Sequence, residues 1–292
     1  MIESRLIPPV IKWTGSKRSV APFLEPLIPN TNQAFEPFVG GGAILPLHKA
    51  SRVIAGDIIP ELVALWSLIK ESPEEVAEGY TERWERLQTE GHTAYYDIRN
   101  RFNKRRSPVD LLFLSRTCVN GLIRFNNSGE FNNSLHHTRP GISPNRLKQI
   151  LTQWSRWLTN VEFLHSDYRD TLSPARPGDF VFLDPPYAGT TGRYMPQDFD
   201  LSAFYAELER LNSLDIKWIV TLDGTAGRRQ YESGIPEGLY ITKFLIPTGN
   251  SPFTKLMGTS VDAVYESVYL NFQAPFEVFP DQFKERGKIV KT

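Results

Sequence analysis

FVFLDPPYAG, residues 180 to 189, decides how the chain is read. The run Phe180-Val181-Phe182-Leu183 is short, continuous and rich in β-formers, the pattern of a strand buried on both faces. Asp184 sits at its carboxyl end. Pro185 and Pro186 then remove two backbone N–H donors, and Pro186 pushes Pro185 into an extended conformation, so strand pairing stops and the loop is stiff. Tyr187 follows at once. An acid, the carbonyls of proline and an aromatic face are thereby held together where open α/β sheets bind ligands. That is a site for a flat, hydrogen-bonding molecule. The competing reading is a strand that stops at a structural Asp-Pro turn.

Around this stretch the chain alternates elements in a way that defines its class. AFEPFVGGGA reads as a strand running into a glycine loop, RVIAGD as a second strand and ELVALWSLIK as a helix, which is the start of a βαβ unit. From about Pro73 to Gln153 the pattern is helical instead, with PEEVAEGYTERWERL and VDLLFLSRT, broken by the polar segment RFNNSGEFNNSLHH. Strands resume with VEFLHSD, DFVFLD, WIVTLD, YITKFLIP and AVYESVYLNF. The expectation is an α/β sheet built from residues 1–72 and 154–292, interrupted by a mainly helical insertion over 73–153 that serves as the specificity element.

Composition is compatible with this. The 292 residues are 40% apolar and 12% aromatic, enough for one large domain with an insertion or for two modest domains. The single cysteine, Cys118, excludes an intramolecular disulfide, and no Cys/His cluster has zinc-ligand spacing, so a cytoplasmic protein without a metal site is expected. No segment reaches the roughly 20 apolar residues of a membrane span. With 33 basic and 33 acidic side chains the net charge is zero, so the overall field neither requires nor excludes nucleic acid. Locally, RNRFNKRR at 99 to 106 carries five positive charges. Such a run, taken alone, is a solvated helix face more often than a phosphate site.

Glu36-Pro37-Phe38-Val39-Gly40-Gly41-Gly42 follows a strand, and glycines there let backbone approach a ligand without Cβ clashes. Asp57, at the end of the next strand, stands where an acid commonly accepts hydrogen bonds from ribose hydroxyls. The spacing is not G-x-G-x-x-G. A dehydrogenase, an adenosyl-cofactor enzyme and a binding module all fit the loop and the acid by themselves.

KWTGSK at 12 to 17, FEPFVGGGA at 35 to 43, Asp57, NGLIRFNNSGEFN at 120 to 132 and GDFVFLDPPY at 178 to 187 together resemble, in order, the motifs of the Dam and DpnM type (alpha-class) of DNA adenine methyltransferase. The resemblance runs over most of the chain. It implies a Rossmann-like sheet that binds S-adenosylmethionine at its carboxyl edge, releases S-adenosylhomocysteine and uses no metal. It places Trp13, Lys17, Glu36, Phe38, Gly40, Gly42, Asp57 and Asp184 at the cofactor. RNA and protein-glutamine methyltransferases resemble instead the variant with asparagine in place of the acid, so Asp184 points to DNA adenine.

The chemistry of the substrate explains the catalytic loop. Adenine's exocyclic nitrogen is a poor nucleophile because its lone pair is delocalised, and pairing buries it in duplex DNA, so the base must be flipped out. Asp184 and the carbonyl of Pro185 can then accept its two amino hydrogens while Tyr187 supports the ring, leaving the lone pair directed at the methyl group.

For double-stranded DNA the resemblance reverses the reading of the basic run: Lys104, Arg105 and Arg116 are expected on phosphates, within the helical insertion. The stretch from Asn120 to Arg139 reads as a hairpin around a Ser-Gly turn that enters the major groove. Leu122 and Arg124 match positions that face bases in the family, and Asn126 and Asn132 match polar hairpin positions. Arginine pairs bidentately with guanine, which implies a guanine–adenine core such as that of GATC. Val119, Ser134 and His136-His137 depart from the family pattern. The expected partners are DNA, acted on by a monomer or weak dimer, and a separately encoded restriction endonuclease, in a bacterial or phage setting.

Overall fold

In the computed structural model, the described residues are 7–138, 140–186, 199–226, 229–230, 234–250 and 263–274, without the side chains of 223–230, 247–250 and 263–264. The strands are β1 (Asn30–Glu36), β2 (Lys49–Asp57), β3 (Val161–His165), β4 (Phe180–Leu183), β5 (Lys217–Ala226), β6 (Arg229–Gln230), β7 (Thr242–Asn250) and β8 (Ala263–Leu270). The helices are α1 (Ala21–Leu24), α2 (Pro60–Glu71), α3 (Pro73–Glu90), α4 (His92–Arg105), α5 (Pro108–Thr117), α6 (Pro144–Trp157), α7 (Tyr168–Leu172) and α8 (Leu201–Ser213).

The strands form one sheet in the order β3-β2-β1-β4-β5-β8-β7, with β6 paired to β5. The first five run parallel, and β8 lies antiparallel between β5 and β7. Central β4 shows why its four apolar residues were needed. Phe180 and Phe182 join one apolar cluster and Val181 and Leu183 the other, because successive side chains of a strand leave by opposite faces. From β1 the chain moves outward to β2 and β3, then returns to β4 on the other side of β1. That reversal opens a crevice at the carboxyl ends of β1 and β4, the usual ligand position of such sheets.

Between α2 and β3 the chain forms the helices α3 to α6. Proline opens each of α2, α3, α5 and α6, where its missing N–H costs nothing and its φ is preset for the helix. In α5, Val109 to Thr117 are all buried, so this helix is the interior of the helical part. Helix α6 buries Leu147, Ile150, Leu151 and Trp154, one face at helical spacing, and runs unbroken past residue 153 to Trp157. Trp154 lies 5.0 Å from Trp66 of α2, ring to ring. Side chains of the sheet and of α3 to α6 belong to a single apolar cluster. Among the described residues no helix is long and apolar enough to cross a membrane.

Truncating Phe182, which is 1% exposed, to alanine should cost about 3–5 kcal/mol by loss of transfer energy and creation of a cavity. Urea unfolding of the purified variant measures this, and a loss below about 1 kcal/mol would mean that the sheet centre repacks around the gap.

Candidate functional site

Asp184 leaves the end of β4 into the crevice and is met there by Lys17 of the N-terminal motif and Thr221 of β5. Lys17, 4% exposed, places Nζ 2.8 Å from Asp184 Oδ1 and 3.3 Å from Glu266 Oε1 of β8, and donates to the carbonyl of Gly15 at 2.9 Å. Thr221 of β5 donates its hydroxyl to the same Oδ1 at 3.0 Å. Burial pushes the Asp184 carboxyl up, while Lys17 and Thr221 pull it down. Both contacts fall on one oxygen. They fix the rotation of the carboxylate and, among the described residues, leave Oδ2 as its acceptor for a ligand. Pro185 and Pro186 follow in the crevice; Tyr187 lies outside the described residues.

The glycine loop between β1 and β2 is shaped by two tryptophans. Gly40 has φ 45°, and a Cβ there would meet the Trp13 indole Nε1 at 2.8 Å; Gly42 has φ 65°, and a Cβ would meet Trp66 at 2.7 Å. Trp66 Nε1 donates to the Gly40 carbonyl at 3.0 Å. These two glycines are therefore demanded by the protein's own packing as well as by any ligand. Asp57 at the end of β2 accepts from the Gly40 N–H at 3.1 Å and from the Ile59 N–H at 3.1 Å, tying the loop to the start of α2. Burial pushes its carboxyl up to about 6, against those backbone donors.

Glu36 departs from expectation. Its carboxylate is 2% exposed and sits 2.8 Å from His48 Nε2, so the end of β1 holds a closed pair in place of an open acceptor. Burial raises the Glu36 carboxyl, His48 lowers it, and the negative charge of Asp184 raises it further. Phe38 stacks on Tyr168 at 5.4 Å, within a group that includes Phe199 and Phe204. It forms an aromatic wall beside the crevice.

The expected DNA face divides sharply. Lys104 and Arg105 are exposed at the end of α4 and have no partner among the described residues. The other arginines of the run are engaged. Arg101 and Arg83 both bind fully buried Asp110, Arg99 lies over the Tyr96 ring, and Arg106 reaches Glu61 and the Gly129 carbonyl. Arg116 contradicts its assignment to phosphate. It is 8% exposed, and its guanidinium donates inward to the carbonyls of Pro9 and Val10, because the end of α5 faces the N-terminal segment.

The hairpin is present. Phe125 pairs antiparallel with Phe131, and Gly129 (φ 73°) makes the turn. Arg124 is exposed, its Nε held by Asn132 Oδ1 at 2.9 Å, so its two terminal nitrogens point beyond that bond. Asn126 serves the turn itself: Oδ1 accepts from Ser128 and Glu130 N–H groups, and Nδ2 donates to Glu130. Asn120 is exposed with φ 58°, Leu122 is half-buried, and Arg139 lies outside the described residues.

Sequence reading missed Thr221, Glu266, His48 and Ile58. The first three stand in ordinary strand or loop patterns and carry no local signal. Ile58, 44% exposed directly after Asp57, was accessible as an apolar residue in a place where the strand had already ended.

The model of the D12 class N6 adenine-specific DNA methyltransferases matches residues 13–215, and the chain belongs to that family. Its mixed α/β sheet is the Rossmann-like sheet of S-adenosylmethionine-dependent methyltransferases. Among its relatives is the Type II methyltransferase M1.LlaDCHI of Lactococcus lactis subsp. cremoris, 30% identical over 192 residues, 61% of this chain and 65% of that protein. The Type II methyltransferase M.MjaIII of Methanocaldococcus jannaschii is 30% identical over 237 residues, 70% of this chain and 81% of that one. The DNA adenine methylase of Escherichia coli is 30% identical over 182 residues, 61% of this chain and 64% of its own length. The chain thus spans just under two thirds of the first and third of these relatives.

Asp57 generates a pH test. Its folded-state value of about 6 exceeds the ordinary 3.8, so the folded protein holds this proton to higher pH than the unfolded chain. The contribution favours folding below the ordinary value and is lost as pH rises through about 6. Asp57→Asn should therefore gain on wild type by up to about 3 kcal/mol between about pH 4 and about pH 7 in urea unfolding. A difference that stays flat with pH would show the carboxyl to be unperturbed.

Proposed function

We propose that this chain is a site-specific DNA adenine methyltransferase that moves a methyl group from S-adenosyl-L-methionine to the exocyclic N6 of an adenine flipped out of duplex DNA. The observation that carries the reading is the carboxylate of Asp184, fixed through Oδ1 by Lys17 and Thr221 while Oδ2, among the described residues, remains for the substrate.

The residues fit an adenosyl cofactor on two counts. Asp57 stands at the end of β2 with each carboxylate oxygen taking one backbone N–H and a further lone pair left on each for a ribose hydroxyl, and Ile58 beside it exposes an apolar side chain as a surface for a purine. Trp13, Lys17, Phe38, Gly40, Gly42, Asp57 and Asp184 would hold the group, with Glu36 supporting the site through His48. When bound, it supplies an electrophilic methyl on a sulfonium, and S-adenosyl-L-homocysteine remains.

Oδ2 of Asp184 and the carbonyl of Pro185 accept the two amino hydrogens of the flipped base. That favours a pyramidal nitrogen and localises its lone pair. Tyr187 is assigned to stack on the ring, and the Pro-Pro step stiffens the backbone that follows the acid. The methylated amine, cationic at first, is acidic enough to release its proton to solvent, so the step requires no protein base.

Lys104 and Arg105 bind phosphate, while Arg124 offers its terminal nitrogens to a guanine near the target adenine, giving a short GA-containing site of which GATC is one form. Asn120, Leu122, Asn132 and Arg139 complete this face, the insertion over 73–153 being the recognition part. The names of the relatives support a restriction-modification or genome-marking role. In the former a separately encoded endonuclease is the partner; the setting is cytoplasmic, bacterial or phage-encoded, and the working form a monomer or weak dimer.

Incubation of the purified protein with methyl-labelled cofactor and mixed-sequence duplex should label adenine N6, and Asp184→Ala should abolish labelling while keeping cooperative unfolding. Near wild-type turnover in that variant would sink the mechanism. Replacing Lys104 and Arg105 together with alanine should weaken binding to all duplexes alike and flatten the log–log salt dependence by roughly 0.9 for each phosphate no longer neutralised. An unaltered slope would remove both side chains from the phosphate interface.

A further inference from the structure

Arg106 ends α4 in the left-handed conformation, with φ 53°. Its guanidinium lies over the rings of Phe102 and Phe125, with centroids at 5.3 and 5.6 Å. One terminal nitrogen donates to the carbonyl of Gly129, in the hairpin turn, and the other reaches Glu61 Oε1 at 3.2 Å. Glu61 is 6% exposed in the first turn of α2, the helix that starts just after Asp57 and carries Trp66 against the glycine loop. One side chain thus touches the hairpin turn, a hairpin strand and the helix that borders the ligand edge of the sheet.

A second tie holds the hairpin lower down. Asn103 donates to the Phe131 carbonyl at 3.1 Å and accepts the Phe131 N–H at 2.8 Å, so the return strand is bonded to α4. Among the described residues, only Arg106 joins the turn itself to α2. Asn103 fixes only the return strand; on the outgoing strand Arg106 lies over Phe125, the neighbour of Arg124, whose carbonyl takes the Asn132 N–H at 3.1 Å and whose Nε is held by Asn132. Loosening the fork would therefore shift the strand on which Arg124 stands.

We propose that Arg106 is a positioning residue for sequence discrimination, the clamp that sets the hairpin tip against α2 so that Arg124 meets one base at a fixed height. The inference rests on reading 124–132 as the base-reading hairpin. Bidentate recognition needs its donors held within about half an ångström, and two acceptors facing different ways suit a planar fork. A lysine keeps the charge but offers a single point.

The test compares wild type, Arg106→Lys, Glu61→Gln and Arg124→Ala. For each, kcat/KM is measured on the preferred duplex and on duplexes altered at one base pair, beside the thermal midpoint. Wild type is expected to discriminate, Arg124→Ala to relax selection at one guanine, and Arg106→Lys to lower the same ratio by about tenfold with a melting temperature near wild type. Glu61→Gln, which keeps the fork and its ring contacts, is expected to lower it by a smaller factor, and it still tests the clamp if Arg106→Lys does not fold. A side chain that only stabilised the protein would reduce kcat/KM on all duplexes equally. An unchanged ratio in both Arg106→Lys and Glu61→Gln, with relaxation in Arg124→Ala, overturns the clamp alone; a wild-type enzyme indifferent to sequence overturns the base-reading hairpin and the clamp together.

Discussion

The buried contact between Lys17 and Asp184 is the constraint on which the site depends. Taking an ammonium and a carboxylate out of water costs several kcal/mol per ion unless each finds further partners. Here the ammonium also meets Glu266 and the Gly15 carbonyl, and the carboxylate also meets Thr221. Removing one member would strand the rest, with a loss of about 3–5 kcal/mol. The N-terminal motif, the end of β4, β5 and antiparallel β8 are thereby locked around a single carboxylate oxygen. The geometry of the other oxygen is a consequence.

The same logic orders the glycine loop. Trp13 covers one side and Trp66 the other, so the backbone of Gly40 and Gly42 lies in a slot with no room for side chains. Asp57 closes the slot by taking the Gly40 N–H, and its carboxyl is held with a raised pKa as a result of the burial. The loop reaches the crevice already shaped. A bound molecule would spend little of its interaction energy on ordering it.

These features differ in how far sequence alone reveals them. The four-residue apolar run, the proline pair and the glycine loop are local patterns, and β4, the crevice and the position of Asp184 were legible from them. So was the hairpin, since its turn is built from Asn126 to Gly129 within one short segment. Thr221 and Glu266 were not, because their meeting with Lys17 and Asp184 is set by the register of β5 against β4 and β8, which no local pattern encodes. Charge counting failed for a related reason. RNRFNKRR shows five cations, but not that Asp110 sits buried opposite Arg101 or that a turn carbonyl waits for Arg106. Arg116 misled in the same way, being charged in sequence and walled in by Pro9 and Val10 in space.

The apolar cluster that runs without a break from the sheet into α3 to α6 bears on how such a protein can change its target. Grafting the whole helical segment from a relative would cut through the packing of Trp66 on Trp154 and through the buried face of α5, forfeiting stability at many sites to alter a few. The hairpin is a different kind of part. It is short, largely bonded within itself, and seated on α4 through a handful of side chains. On the base-reading role proposed for residues 124–132, new specificities would arise by substitution within the loop, not by shuffling of modules, and lineages of this architecture should diverge fastest there while the helices beneath them stay in step with the sheet.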